Sequence, residues 1–173
     1  MINVFLTGKI NVGKSTILDK ALSNYNGVVE GFKTVPYLIN GEKIGYVLEA
    51  LNSKVSTDVV HFVGKKSTKS NMVGIPKTFE EYGVKILKHS LKSKPNVILM
   101  DELGIFETKA LNFQSWVFNC LDSSIPVVGV LKQKSTPFLN KIKERSDTKV
   151  FYITIFNRDR QYIRFKNVLT KLL

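Results

Sequence analysis

Short apolar runs alternate with stretches of three-and-four hydrophobic spacing almost from end to end of the chain. The runs Asn3–Thr7, Val28–Asn40, Lys43–Leu51, Asp58–Val63, Asn96–Asp101, Val127–Leu131 and Lys149–Phe156 read as strands. The stretches Gly13–Tyr25, Phe79–Lys92, Ala110–Leu121, Phe138–Arg145 and Arg158–Leu173 read as helices. Asn40-Gly41, between two strand-like runs, is a hairpin signal because both residues tolerate positive φ. Thr78 to Glu81, "TFEE", has the form of a capping box opening the second helix. In the last helix Tyr162, Phe165, Val168, Leu169 and Leu172 form a core-facing stripe, which leaves Arg160, Arg164 and Lys171 largely on the other side. Strands separated by helices require crossovers, so the pattern predicts an α/β fold in three layers. Its central sheet is mostly parallel, with an antiparallel hairpin inserted near residue 40.

Composition narrows this picture. The 173 residues, 43% of them hydrophobic, suit a single globular domain spanning 1–173. No apolar run reaches the roughly 18 to 20 residues that cross a bilayer, and the N-terminus lacks the form of a signal peptide. Cys120 is the one cysteine, reads as a buried inert thiol, and leaves the cytoplasm as the expected compartment. The net charge is +12, and Lys132 to Leu173 hold 11 Lys and Arg against 3 Asp and Glu. Such a field attracts polyanions. No helix-turn-helix, zinc or RNA-binding signature accompanies it, so nucleic acid is not the favoured partner. His61 and His89 stand apart, without cysteine or carboxylate neighbours, and do not suggest zinc.

The chemistry begins at "TGKINVGKST", Thr7 to Thr16, a basic glycine loop between the first strand and the first helix. Gly8, Gly13, Lys14 and Ser15 fit the phosphate-loop pattern, with Lys9, Ile10, Asn11 and Val12 inside it and Thr16 following. The glycines let the backbone turn its N–H groups around a phosphate, and the helix start adds partial positive charge. Asn11 stands where glycine is common and tolerates left-handed backbone. Lys14 would reach the β and γ oxygens, and Ser15 would offer a hydroxyl to magnesium.

The second half is "NVILMDELG", Asn96 to Gly104, an apolar strand ending in Asp101 and Glu102. Ligands of parallel sheets bind beyond the carboxyl ends of the strands, where this pair emerges. Asp101 would hold magnesium and Glu102 would polarise a water aimed at the γ-phosphate. A glutamate directly after the aspartate favours the ATPase branch of these folds, in which another strand separates the two motif strands. The expected reaction is magnesium-dependent hydrolysis of nucleoside triphosphates by a monomer, with no membrane partner. The alternatives are a nucleotide or small-molecule kinase using the same site, and a nucleotide-gated nucleic-acid binder.

The order "GKINVGKST", "GFKT", "NGEKIGY", "VILMDELGIFE", "PVVGVL", "KVFYITIFNRD" resembles the THEP-type nucleoside-triphosphatases from about residue 2 to residue 165. The resemblance implies magnesium-dependent hydrolysis with little base selectivity. It assigns Gly8, Gly13, Lys14, Ser15 and Thr16 to the phosphate loop, Asp101 and Glu102 to the acidic pair, and Asn157 and Arg158 to a late Asn-Arg pair. The chain departs from that family pattern at Ile105, where a lysine is common. It also departs at Val35, Pro36, Tyr37 and Leu38 after "GFKT", and at "KSNMVG", Lys69 to Gly74, in place of a "VG-Y" element.

Asn157 and Arg158 follow the last strand, where a nucleotide base often lies; a helix cap beside a surface arginine is the competing reading. Phe32 and Lys33 either approach the γ-phosphate or simply pack the hairpin. Lys65, Lys66 and Lys69 either close over the triphosphate or form a solvated loop.

Overall fold

The computed structural model describes residues 2–52, 54–67 and 71–172. The strands are β1 (Asn3–Gly8), β2 (Val29–Ile39), β3 (Glu42–Ala50), β4 (Phe62–Lys66), β5 (Met72–Gly74), β6 (Val97–Leu103), β7 (Val127–Lys132) and β8 (Thr148–Ile153). The helices are α1 (Lys14–Leu22), α2 (Pro76–Thr78), α3 (Val84–Ser93), α4 (Leu111–Leu121), α5 (Pro137–Lys143) and α6 (Arg158–Leu172), with one π-helical turn (Phe79–Gly83) joining α2 to α3. All strands belong to one sheet, in the order β5-β4-β3-β2-β6-β7-β1-β8. β2, β6, β7, β1 and β8 pair with one another in parallel, and β7 lies between the two motif strands β1 and β6.

The strand interiors explain why the layers form. β6 is buried along nearly its whole length because both faces are covered. Ile98 and Met100 join the aromatic core with Phe5, Phe79 and Phe113 under α3 and α4. Val97 and Leu99 point the other way and pack with Val4, Leu6, Leu18, Phe165 and Leu169 under α1 and α6. β1 divides in the same manner, with Phe5 on one side and Val4 and Leu6 on the other. This period-two partition is what a three-layer sandwich requires. Cys120 lies inside the first core, where burial pushes its thiol up to about 12.

β2 is the joint between the parallel and antiparallel halves. Val29 to Lys33 pair in parallel with β6, whereas Phe32 to Ile39 pair antiparallel with β3. Beyond Lys33 the strand therefore runs past the end of β6 as a ribbon, with Pro36 on an edge that requires no amide donor. β4 and β5 extend the expected hairpin into an antiparallel meander.

Several boundaries differ from the sequence expectation. The strand expected at Asp58–Val63 starts only at Phe62, opposite Val47, and Val59 is 67% exposed in the preceding loop. β5 has three residues, too few for any periodicity. The helical run opens at Pro76 rather than at a capping box: Thr78 already has helical φ and ψ, and its hydroxyl donates to the Phe62 carbonyl at 2.6 Å. Pro137 opens α5, where the Thr136 hydroxyl accepts from Leu139 N at 3.1 Å. β8 stops at Ile153, short of Ile155 and Phe156. No helix among the described residues is long and apolar enough to cross a membrane.

Candidate active site

The loop after β1 has the backbone its glycines promised. Gly8, Asn11 and Gly13 all have positive φ, at 150°, 63° and 92°. At Gly8 a side chain is excluded outright, because a Cβ would lie 2.3 Å from the Ile153 carbonyl oxygen of β8. At Gly13 the surrounding space is open, so the requirement there is conformational. Gly13 supplies no side chain to cap α1, which leaves the first amides of that helix available to an anion.

Lys14 folds back over this loop. Its ammonium donates to the carbonyls of Gly8 at 3.1 Å and Lys9 at 2.7 Å. Burial lowers its pKa, opposed by the attraction of Glu102 and then Asp101. Behind it the Ser15 hydroxyl donates to Asp101 Oδ1 at 3.4 Å. Asp101 is buried at the end of β6, and desolvation pushes its carboxyl up to about 6 against the Ser15 hydrogen bond. A buried carboxylate beside a hydroxyl is an all-oxygen donor set suited to magnesium. The Asp101–Glu102 peptide is cis, and the ladder to β7 shifts register between Asp101 and Leu103.

These groups share one cleft of about 450 Å³. Ile10, Asn11, Gly13, Lys14, Ser15 and Thr16 line one side and Asp101 and Glu102 the floor. Thr34 and Pro36 of β2, with Lys43 and Tyr46 of β3, form the opposite wall. Lys132 at the end of β7 completes the lining, with Nζ 3.3 Å from Glu102 Oε1. The sequence motifs do not include Lys132, although it directly follows an apolar parallel strand, the same signal that marks Asp101. Ile105, the apolar departure from the family pattern, sits beside Glu102 and Lys132 in a smaller adjoining hollow.

Other expectations resolve differently. Phe32 is fully buried in the core, and Lys33 pairs with Asp19 of α1 at 2.5 Å, so the hairpin-packing reading holds for Phe32. Lys65 and Lys66 belong to β4, where Lys66 pairs with Glu42 at 2.6 Å and Lys65 lies over the Phe62 ring. Lys69 lies outside the described residues. The Asn157 amide is occupied by its own turn: Oδ1 accepts from Thr154 N at 2.8 Å and Nδ2 donates to the Tyr152 carbonyl at 3.1 Å. Arg158 is largely exposed and lies 4.0 Å from Asp159. The turn that Asn157 holds presents a second hollow, about 250 Å³, lined by Lys9, Val12, Tyr152, Ile153, Thr154, Ile155 and Phe156. Glu107, the last residue of "VILMDELGIFE" and given no role by the sequence, is buried, and its carboxylate accepts from Gly104 N. Desolvation pushes it up to about 7.

A family model described as NTPase matches residues 3–165. The chain belongs to the NTPase family. Among relatives in this family, the nucleoside-triphosphatase THEP1 of Thermotoga petrophila is 33% identical over 162 residues, covering 90% of this chain and 86% of the relative. The cancer-related nucleoside-triphosphatase homolog of Mus musculus is 30% identical over 173 residues, covering 91% and 89%. The crystal structure of THEP1 from Aquifex aeolicus superposes with a TM-score of 0.76 over 99% of both chains at 21% identity, a likeness of fold.

Proposed function

We propose that this member of the NTPase family hydrolyses magnesium-bound nucleoside triphosphates to the diphosphate and phosphate. One observation carries the reading: Lys14, Ser15, Asp101 and Glu102 face a single cleft large enough for a triphosphate tail. The names of the relatives, nucleoside-triphosphatases, point the same way.

In this mechanism the amides of Gly8 to Thr16 and the start of α1 cradle the phosphates. Lys14 leaves its two carbonyl partners for the β and γ oxygens, a better match for an ammonium than neutral carbonyls. Ser15 and Asp101 would hold magnesium, which when bound neutralises phosphate oxygen charge and keeps the chain of phosphates in line. Glu102 takes a proton from a water as its oxygen bonds to the γ-phosphorus. The bond from that phosphorus to the bridging oxygen breaks, and its electron pair leaves with the diphosphate. Lys14 and the loop amides meet the charge that develops.

The base lies in the hollow bordered by Lys9 and Val12, since those residues belong to the same loop that holds the phosphates. Phe156, 93% exposed there, offers a stacking face to any base. Asn157 serves that site by fixing the turn, and Arg158, two residues after Phe156, would be a phosphate or base contact. An apolar lining fits the low base selectivity that the family resemblance implies.

The test is phosphate release from ATP, GTP, CTP and UTP, each with and without magnesium. Turnover of several triphosphates, lost on chelation, is the expected result. Stoichiometric binding without turnover would replace hydrolysis by binding, and diphosphate formed without free phosphate, only when an acceptor hydroxyl is added, would replace it by kinase chemistry.

A further inference from the structure

Lys132 has the position of a working residue rather than of surface charge. It ends β7, directly paired with Gly8 of β1, so its Cα is fixed beside the first glycine of the phosphate loop. Its stem lies within contact distance of Gly104, where a Cβ would meet Lys132 Cδ at 3.3 Å, and its ammonium sits 5.6 Å from the Phe106 ring centre. From there it reaches into the cleft to Glu102, with 24% of the lysine side chain and 31% of the glutamate side chain exposed. Both of these inward-facing ammonium groups are thus held by the protein's own oxygens: Lys14 by two carbonyls, Lys132 by the carboxylate next to the metal-type aspartate.

We infer that Lys132 is a second catalytic lysine: it pairs with Glu102 until a terminal phosphate arrives, then transfers to that phosphate and frees the carboxylate to accept the water's proton. This rests on the hydrolase reading above. A γ-phosphoryl group carries more negative charge than one carboxylate and draws the ammonium across the cleft. A diphosphate has no group at that point and leaves the Lys132–Glu102 pair closed. The base is therefore released only when there is something to hydrolyse. As the water oxygen bonds to phosphorus, its proton passes to Glu102. The bridging bond breaks with its electron pair on the departing diphosphate, and the ammonium of Lys132 offsets the charge on the equatorial oxygens.

The experiment compares wild type with Lys132→Met and Lys132→Arg in phosphate release, and in calorimetric binding of a non-hydrolysable ATP analogue and of ADP. For Lys132→Met the expected results are a fall in kcat of about 10²- to 10³-fold and affinity for the analogue weakened about tenfold or more. Affinity for ADP and the melting temperature should stay nearly unchanged, and Lys132→Arg should recover part of kcat. A kcat within about threefold of wild type, or equal loss of affinity for analogue and ADP, overturns the assignment. Acetylation footprinting of the wild-type protein probes the same contact without a variant: the ATP analogue should protect Lys132 and ADP should not, and equal labelling in both overturns it. If wild type releases no phosphate at all, the hydrolase reading fails, while the contrast between analogue and ADP still decides whether Lys132 meets a terminal phosphate.

Discussion

The Ser15 hydroxyl donates to Asp101 Oδ1 at 3.4 Å, joining the start of α1 to the end of β6 across 86 positions of sequence. The two halves of the site are thus in direct contact through the protein's own atoms. Ser15→Ala removes one side of the oxygen pair, and the magnesium concentration needed for half-maximal phosphate release should rise about tenfold or more. A magnesium titration of wild type and variant checks this; superimposable curves would remove Ser15 from the metal site.

Glu102→Gln keeps the size of the side chain and abolishes its basicity. Turnover should slow by about 10²- to 10⁴-fold, with nucleotide affinity retained in calorimetry. Undiminished release would take Glu102 out of the proton transfer.

Phe156 stands almost free of the protein beside Lys9 and Val12. Phe156→Ala should weaken nucleotide binding by about 1 to 3 kcal/mol, the worth of one base stack, and to a similar degree for all four bases. KM should rise while kcat holds. A change confined to one base would place the base elsewhere.

Glu107 gives the fold a pH dependence of definite sign. Burial raises its pKa from an ordinary 4.5 to about 7, so the folded protein holds this proton more tightly than the unfolded chain does. Its contribution is fully favourable below about pH 4.5 and is lost as pH rises through about 7. Asp101, raised to about 6, adds a loss of the same sign over a lower range. Urea midpoints should fall between pH 5 and pH 8, and Glu107→Gln should flatten the fall by up to about 3 kcal/mol. An identical pH profile in the variant would refute this account.

Phe113 is fully buried and touches Phe79 and Phe32, with ring centres 4.9 and 5.8 Å away. Phe113→Ala should cost about 3 to 5 kcal/mol in chemical denaturation. A loss under about 1 kcal/mol would mean that the helical layer collapses into the gap.

The layered fold and the two motif segments are legible in the sequence because each rests on a local rule. Unbroken apolar strands such as "VILM" imply burial on both faces, and a glycine loop between strand and helix implies an anion. The cleft wall is not legible. Thr34, Pro36, Lys43 and Tyr46 reach the site only because β2 continues past β6, a matter of strand length and pairing partner. The start of β4 is misplaced for a related reason: "DVVHFV" is apolar enough for a strand, but pairing with β3 begins only at Phe62. Asn157 reads equally as ligand contact and as cap; its amide proves to be spent on the turn, a use visible only once Thr154 and Tyr152 are in place. Lys132 shows the reverse, a residue whose neighbour 30 positions away gives it meaning.

The β2–β3 ribbon has a further consequence. Its far end, where Leu38 and Ile39 lie open to solvent, runs free of β6, while Thr34 and Pro36 closer to β6 line the cleft. Substitutions at Thr34, Pro36, Lys43 or Tyr46 therefore change one wall of the cleft while the glycine loop and the end of β6 keep their own residues. On the hydrolase reading proposed above, the fit of the triphosphate tail and the breaking of its terminal bond can then be tuned separately.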